Sequence, residues 1–453
     1  MNTNTLSPSL SRHETRFHLR IKEWARGREF MGPFLAFLVV LAPIPLASNR
    51  PVFWLGLSAI FMMLAAFHLM IAHQRPTDLD AGRWMNRVFV LGTVMPFTIC
   101  LQLLPLPTLQ SIMPAASALV ILRLIGIGAF AYLIFQTALR LVSPRPLIWI
   151  VFLGILTHAI WAMISLTLLA DDPIFFVKTS YLGVATGTFV NRNSFATFLG
   201  IGIILGIAIT SSSYRPKASI NHRSALLECG AYAVAIGLIV LTLLATQSRM
   251  GCLSTLIGVG VYLTFTAPMG SRPARPRNRL LLTGLILVVI LAAAGAANGV
   301  LLRFASLSGA PIDRMTLYAD ILPMIADRPW LGFGAESFAT AFTAYQSPEL
   351  PNHLTWDHAH STYLGNWVEY GVFAGTIPVA IGALTWRRLH QVQRTEVRRE
   401  PWSAAALGIL ALVACHALVD FSLEMPANAY LLVFVLGIAA AQPTQIRGFH
   451  ARH

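Results

Sequence analysis

The sequence predicts an all-α polytopic membrane protein, with about 12 transmembrane helices and one large periplasmic loop of amphipathic helices, on three observations. Hydrophobic residues make up 56% of the 453-residue chain and charged residues only 11%, where a soluble domain carries about 25% charged residues. The apolar residues fall in runs long enough for a bilayer, whose hydrocarbon core takes about 20 helical residues. The basic residues concentrate in alternate loops between those runs, as in a chain threaded with its Lys and Arg on the cytoplasmic side.

Taken in order, residues 1–30 form a basic tail in which Arg12, Arg16, Arg20, Lys22, Arg26 and Arg28 precede the first apolar run. A second apolar run follows at once, so the tail reads as a cytoplasmic topogenic anchor rather than a cleavable signal. Spans are expected near 33–48, 51–73, 88–106, 117–139, 147–169, 193–212, 227–246, 250–268, 280–301, 361–385, 402–420 and 426–441. The first is short and tilts or pairs as a hairpin with the second. Chain 1–453 thus reads as one integral membrane domain.

Alternating the loops places 25 of the 33 Lys and Arg in the N-tail, the C-tail and the segments "HQRPTDLDAGRWMNR", "RLVSPRP", "SYRPKASINHRS", "RPARPRNR" and "RRLHQVQRTEVRR". Both termini are therefore expected in the cytoplasm. The net charge of +14 follows from this distribution. No polybasic helix or aromatic-interleaved basic face accompanies it, which excludes nucleic acid as the expected partner. Cys100, Cys229, Cys252 and Cys415 lie in or beside apolar spans without a CxxC, and read as small buried hydrophobes.

The other eight cations are Arg50, Arg123, Lys178, Arg192, Arg249, Arg303, Arg314 and Arg328. A cation on the side the bias avoids needs another reason to be there. Arg50 and Arg303 read as side chains that snorkel to headgroups. Arg192 in "GTFVNRNSFATFLG" and Arg249 in "LATQSRMGCLS" stand at outer ends of spans and read as functional. Arg123, inside "LVILRLIG", requires a wet cavity or a partner.

Residues 302–360 form the one long loop, a cap expected on the periplasmic side. Met315, Leu317, Ile321, Leu322, Met324 and Ile325 make a helical apolar pattern between Arg314, Asp320 and Asp327, stopped by Pro329. A second short helix is expected over Ser337–Tyr345. The cap therefore reads as amphipathic helices lying on the membrane. Gly332-Phe333-Gly334 lacks the preceding strand and third glycine of a dinucleotide fingerprint, and reads as a tight turn between the two helices. No Walker A, HExxH, GxSxG or Asp-rich metal cluster appears in the sequence.

Near the end of the cap stand His353, Asp357, His358 and His360. Asp357 or Ser361 fits a helix N-cap for the span that begins near Thr362. Two or three histidines with one carboxylate is a weak zinc pattern. The third reading is a general base at the membrane boundary, for which imidazole has a suitable pKa. Spacing alone does not separate the three.

Four stretches, "GTFVNRNSFATFL", "RPWLGFGAESF", "HAHSTYLGNWVEYGVFAG" and "HALVDFSLEMPANA", occur in the order seen in the O-antigen ligase and polymerase superfamily, and the chain resembles that family over 187–441. The third is similar to its His-x-His-Asn-x-Tyr-Leu…Glu-x-Gly signature. The resemblance implies a metal-independent inner-membrane glycosyltransferase, without cofactor, working at the periplasmic face. It would move a glycan from undecaprenyl diphosphate to an acceptor hydroxyl, on lipid A–core for a ligase or on another lipid-linked repeat for a polymerase.

Carried onto this chain, the resemblance makes His360 the catalytic histidine, with Arg192 and Arg249 as the arginines that hold the diphosphate. The expected substrate-binding set is His358, which tunes His360, Asp357, which orients one of the two, Tyr363, and the off-side cations Arg123 and Arg314. Arginine suits a diphosphate because it stays charged and grips phosphate oxygens with two donors. Displacement from the face opposite the diphosphate would invert the anomeric centre. Ser361 replaces the usual Asn, and "NRN" at 191–193 replaces a common Asn-Pro-Asn. Tyr363 and Glu369 fall inside the next span, where packing also explains them, and Asp420 and Asn428 match the last motif. A transporter or flippase is the rival reading, but it would want internal repeats and charges near mid-membrane. No repeat is evident, only Arg123 hints at a charge in a central cavity, and the other unusual residues lie at the outer surface.

Overall fold

The computed structural model describes residues 30–71, 79–106, 109–173, 176–213, 222–266, 310–350, 356–395 and 401–444. Every regular element among them is helical. In chain order these are α1 (Met31–Leu41), α2 (Pro51–Ile71), α3 (Leu79–Gly92), α4 (Val94–Gln102), α5 (Pro114–Ala138), α6 (Arg145–Leu168), α7 (Arg192–Ser213) and α8 (His222–Ala245). There follow α9 (Arg249–Thr266), α10 (Ala310–Asp327), α11 (Phe338–Phe342), α12 (Thr362–Gly375), α13 (Ile377–Thr395), α14 (Pro401–His416) and α15 (Pro426–Ala440). Short 3-10 turns occupy Leu46–Ser48 and Ser422–Glu424.

Seven helices among the described residues are long and apolar enough to cross a membrane, or eight with α12 and α13 taken as one bent span. The protein is a multi-pass membrane protein. Helices α1, α14 and α15 are apolar but shorter. The first expected span, 33–48, is helical only to Leu41 and then turns through Leu46, Ala47 and Ser48, all with positive φ. The span expected from residue 88 starts earlier, at Leu79, because "LDAGRWM" packs Ala81, Trp84 and Met85 into the core instead of forming a loop. The span expected at 402–420 ends at His416, and the one at 280–301 lies outside the described residues.

Helix α7 is the centre of the bundle. Phe195, Phe198, Leu199, Ile201, Ile203, Ile204, Ala208 and Ile209 are all buried, so this helix is apolar on every side and meets other helices rather than lipid. It packs against α6, α8, α9 and α14. Gly258 of α9 and Gly408 of α14 bring those two backbones together, for a Cβ on either would lie 2.7 or 2.5 Å from the other's carbonyl oxygen.

Helices α12 and α13 meet at a 64° bend. Gly371, at φ +76°, breaks α12, and the segment Pro329–Gly334 docks on the break. Val372 N–H donates to the Pro329 carbonyl at 2.8 Å, while Phe333 and Gly334 N–H donate to Val368 and Glu369 carbonyls at 2.8 and 3.0 Å. Gln102 at the end of α4 donates to the same Glu369 carbonyl at 2.7 Å. The carbonyls and N–H groups freed by the break are thus satisfied by protein, as backbone at membrane depth must be. Gly332-Phe333-Gly334 is the turn between α10 and α11, and it also forms this docking edge.

Candidate functional site

One end of the bundle gathers the N-termini of α7, α9 and α12, the C-terminus of α14 and the segment α10–α11. Arg192 opens α7 and Arg249 opens α9. The residues beside them are joined: Ser248 Oγ donates to Asn193 Oδ1 at 2.8 Å, and Asn193 Nδ2 donates to Asp420 Oδ1 at 3.0 Å. Asp420 is fully buried, and its other oxygen accepts from Ser422 Oγ. Ser422 also lies 3.4 Å from His416 Nδ1, which pairs with Thr197 Oγ1 at 2.6 Å. Two helix N-termini, with their partial positive charge, are therefore tied together through Asn193 beside a buried carboxylate.

Arg192 is half-buried, with its guanidinium 5.5 Å from the Tyr181 ring centroid, and Arg249 is exposed. Arg314, on the first turns of α10, acts electrostatically on His360 and Tyr181. Arg192 and Arg314 thus both act on Tyr181, Arg314 also acts on His360, and Arg249 joins this end of the bundle through its neighbour Ser248. Burial pushes the Tyr181 phenol up, and the arginine charges pull it part of the way back.

His360 sits on the last loop residues before α12 with φ +49°, a left-handed conformation uncommon outside glycine. Three contacts hold it there. Tyr318 O–H donates to its carbonyl at 3.0 Å, its ring stands edge-on to Phe421 at 5.2 Å, and Trp356 lies edge-on at 5.9 Å. Its Nδ1 is buried and has no hydrogen-bond partner among the described residues. Burial, with the charges of Arg314 and His358, pushes its pKa down to about 4, against the opposing pull of Asp420.

His358 has the opposite setting. Its ring stacks on the other contact of Phe421, 4.0 Å between centroids at 15°, and Nδ1 meets Glu424 Oε2 at 2.8 Å. Burial disfavours its charged form, but the hydrogen bond and charge of Glu424 outweigh that and raise its pKa above the ordinary value. Phe421 therefore separates a neutral imidazole from one that tends to be charged. Different environments pushing two titratable groups apart is the pattern by which acid and base roles are divided.

Ser361 is the N-cap of α12, extended at φ −151°, and its Oγ accepts from Leu364 N–H at 3.5 Å. Asp357 lies exposed beside the histidines, and His353 lies outside the described residues. Tyr363 O–H donates to the Ala414 carbonyl at 2.9 Å and ties α12 to α14. Arg123 has the partner that its position demanded: its guanidinium meets Glu336 Oε1 at 2.8 Å and lies 5.6 Å from the Trp54 ring. The pair fastens the α10–α11 segment to α5. Glu369 caps the start of α11 by accepting from Phe338 N–H at 3.3 Å.

Two other off-side cations also have structural partners. Lys178 pairs with Asp171 at 2.6 Å, and Arg328 donates to the Gln110 carbonyl at 3.2 Å. Sequence reasoning missed Glu424, Phe421, Asn193, Ser248, Tyr181 and Tyr318. The signal for the first two was present in "VDFSLE", where two acids interrupt an apolar stretch beside an aromatic residue.

No curated protein matches the chain significantly. Residues 234–379, which include Arg249, Arg314, His358 and His360, match the family described as O-antigen ligase. That match supports the O-antigen ligase and polymerase superfamily for this part of the chain.

Proposed function

We propose that the protein is a glycosyltransferase of O-antigen ligase type, moving a glycan from undecaprenyl diphosphate to a lipid A–core hydroxyl at the periplasmic face of the inner membrane. The observation that carries this reading is His360. It is neutral, its Nδ1 is unengaged among the described residues, and the charge of Arg314 acts on it at the end of the bundle where Arg192 and Arg249 open their helices.

In the proposed reaction the acceptor oxygen attacks the anomeric carbon from the side opposite the diphosphate. The C–O bond to the acceptor forms as the C–O bond to the diphosphate breaks, and the bonding electrons leave with the diphosphate. His360 takes the acceptor proton; such help is worth about 10²–10⁴-fold in rate. Arg192, Arg249 and Arg314 neutralise the leaving diphosphate, with about 1.5–3 kcal/mol for each charge-assisted hydrogen bond. An anion bound there would also offset the Arg314 charge that depresses His360, so donor binding makes His360 a stronger base.

A polymerase would use the same site with a second lipid-linked repeat as acceptor. A glycan gel from cells lacking the protein, complemented by wild type or Arg249→Ala, separates the two. Loss of capped lipid A–core with accumulation of long lipid-linked chains is the result expected for a ligase. Collapse of the ladder to one repeat on the core would mean a polymerase, and an unchanged pattern in the null strain would overturn both.

A further inference from the structure

Helix α10 is apolar on two sides. On one, Leu317, Ile321 and Met324 are buried with Phe333, Phe338 and Phe342, which forms the core of the α10–α11 segment. On the other, Met315, Ala319, Leu322, Pro323 and Ala326 form a single helical stripe that runs out to Trp330, and all six are exposed. Met315 is 69%, Leu322 60% and Trp330 80% exposed. No charge interrupts the stripe. Asp320 and Asp327 instead accept hydrogen bonds from Ser347 N–H at 2.9 Å and Tyr345 O–H at 2.5 Å, on the flank towards α11.

A helix face turned to water is expected to be polar, and a contiguous apolar patch marks a contact surface. What covers this one follows from where it ends. Trp330 lies against the break in the bent span, where a Cβ on Gly371 would meet its carbonyl oxygen at 2.3 Å. The next residues of that span, Val372 and Phe373, are 40% and 68% exposed. The stripe is thus continuous with the outward surface of a membrane helix, and it closes on a tryptophan, the residue favoured at the headgroup level.

We propose that this second face of α10 is seated in the adjoining leaflet, with phospholipid acyl chains against Met315, Leu322 and Trp330. The same helix carries Tyr318, which donates to the His360 carbonyl at 3.0 Å, and Arg314, whose charge acts on His360. Seating the helix in lipid therefore sets the height of His360 over the bilayer.

The test uses the full chain in phosphatidylethanolamine–phosphatidylglycerol nanodiscs, with Cys100, Cys229, Cys252 and Cys415 replaced by Ser. A nitroxide is attached at Met315→Cys or Leu322→Cys, and at Glu349→Cys as an exposed polar reference. Relaxation by oxygen should exceed relaxation by a water-soluble nickel chelate at 315 and 322, and the order should reverse at 349. Nickel dominance at 322 would overturn the proposal, and so would poor access of both reagents, which would mean a protein cover such as a second copy. A second readout needs no label or cysteine replacement. The fluorescence lost in Trp330→Phe should be the component quenched by brominated acyl chains, and an unquenched difference would overturn the proposal. Neither readout depends on the glycan-transfer reading.

Discussion

His360 is held in a backbone region that costs a non-glycine residue about 1–3 kcal/mol, and such residues cluster where function over-determines them. The position is fixed from three elements: Tyr318 on α10, Trp356 in the preceding loop and Phe421 after α14. Its depressed pKa has a direct consequence for activity. The residue is neutral through the whole physiological range and protonates only as pH falls towards about 4. The acidic limb of kcat/KM should therefore lie well below 6.5, the ordinary histidine value. A limb at or above 6.5 would show that a different group supplies the base. The residue types of the site were readable in the sequence: a histidine pair beside an acid, and arginines on the side that avoids them. Their partners were not. Glu424 lies 66 positions from His358, and Asn193 reaches Asp420 across 227. No local spacing announces a pairing that only the packing of α7 against α14 creates.

At the scale of elements, the break in α12 joins membrane span to cap. Gly371 and Gly332 both have positive φ, and a Cβ on either would lie within 2.4 Å of backbone carbonyl oxygen. Gly371→Ala should therefore lower stability by more than the ~1–3 kcal/mol of left-handed strain alone. A clear drop in the thermal midpoint in detergent is expected, and an unchanged midpoint would contradict the docking of Pro329–Gly334 on the break. Arg123 is a second fastening between cap and bundle. Glu336→Arg should loosen the cap and raise its protease sensitivity, and the exchanged pair Arg123→Glu with Glu336→Arg should restore part of the loss. No restoration would assign Arg123 to substrate instead. The lengths of the helices from α5 to α9 were legible because each is built on a long apolar run, broken within α5 only by Arg123. The kink at Gly371 was not, since "EYGVFAG" reads as a continuing apolar helix unless one knows that another chain segment meets it there.

At the scale of the whole molecule, hydropathy was a sound guide to class and a weaker one to the spans themselves. Charge placed "LDAGRWM" and "RRLHQVQRT" in loops, whereas both are helical because their apolar residues find partners in the bundle. What the complete fold adds is convergence. Arg192, Arg249, Arg314 and His360 are separated by up to 168 positions in the chain, yet they share one end of one bundle. That arrangement suits a substrate whose lipid stays in the bilayer while its diphosphate and sugar stand at the surface.

The most direct test of this account is release of undecaprenyl diphosphate from a labelled lipid-linked glycan by the purified protein in proteoliposomes, with and without acceptor. Wild type should release the lipid diphosphate only when acceptor is present. His360→Ala, at equal protein and with an unchanged thermal midpoint, should be slower by about 10²–10⁴-fold. Full activity in His360→Ala, or no acceptor-dependent release by wild type, would contradict the central claim.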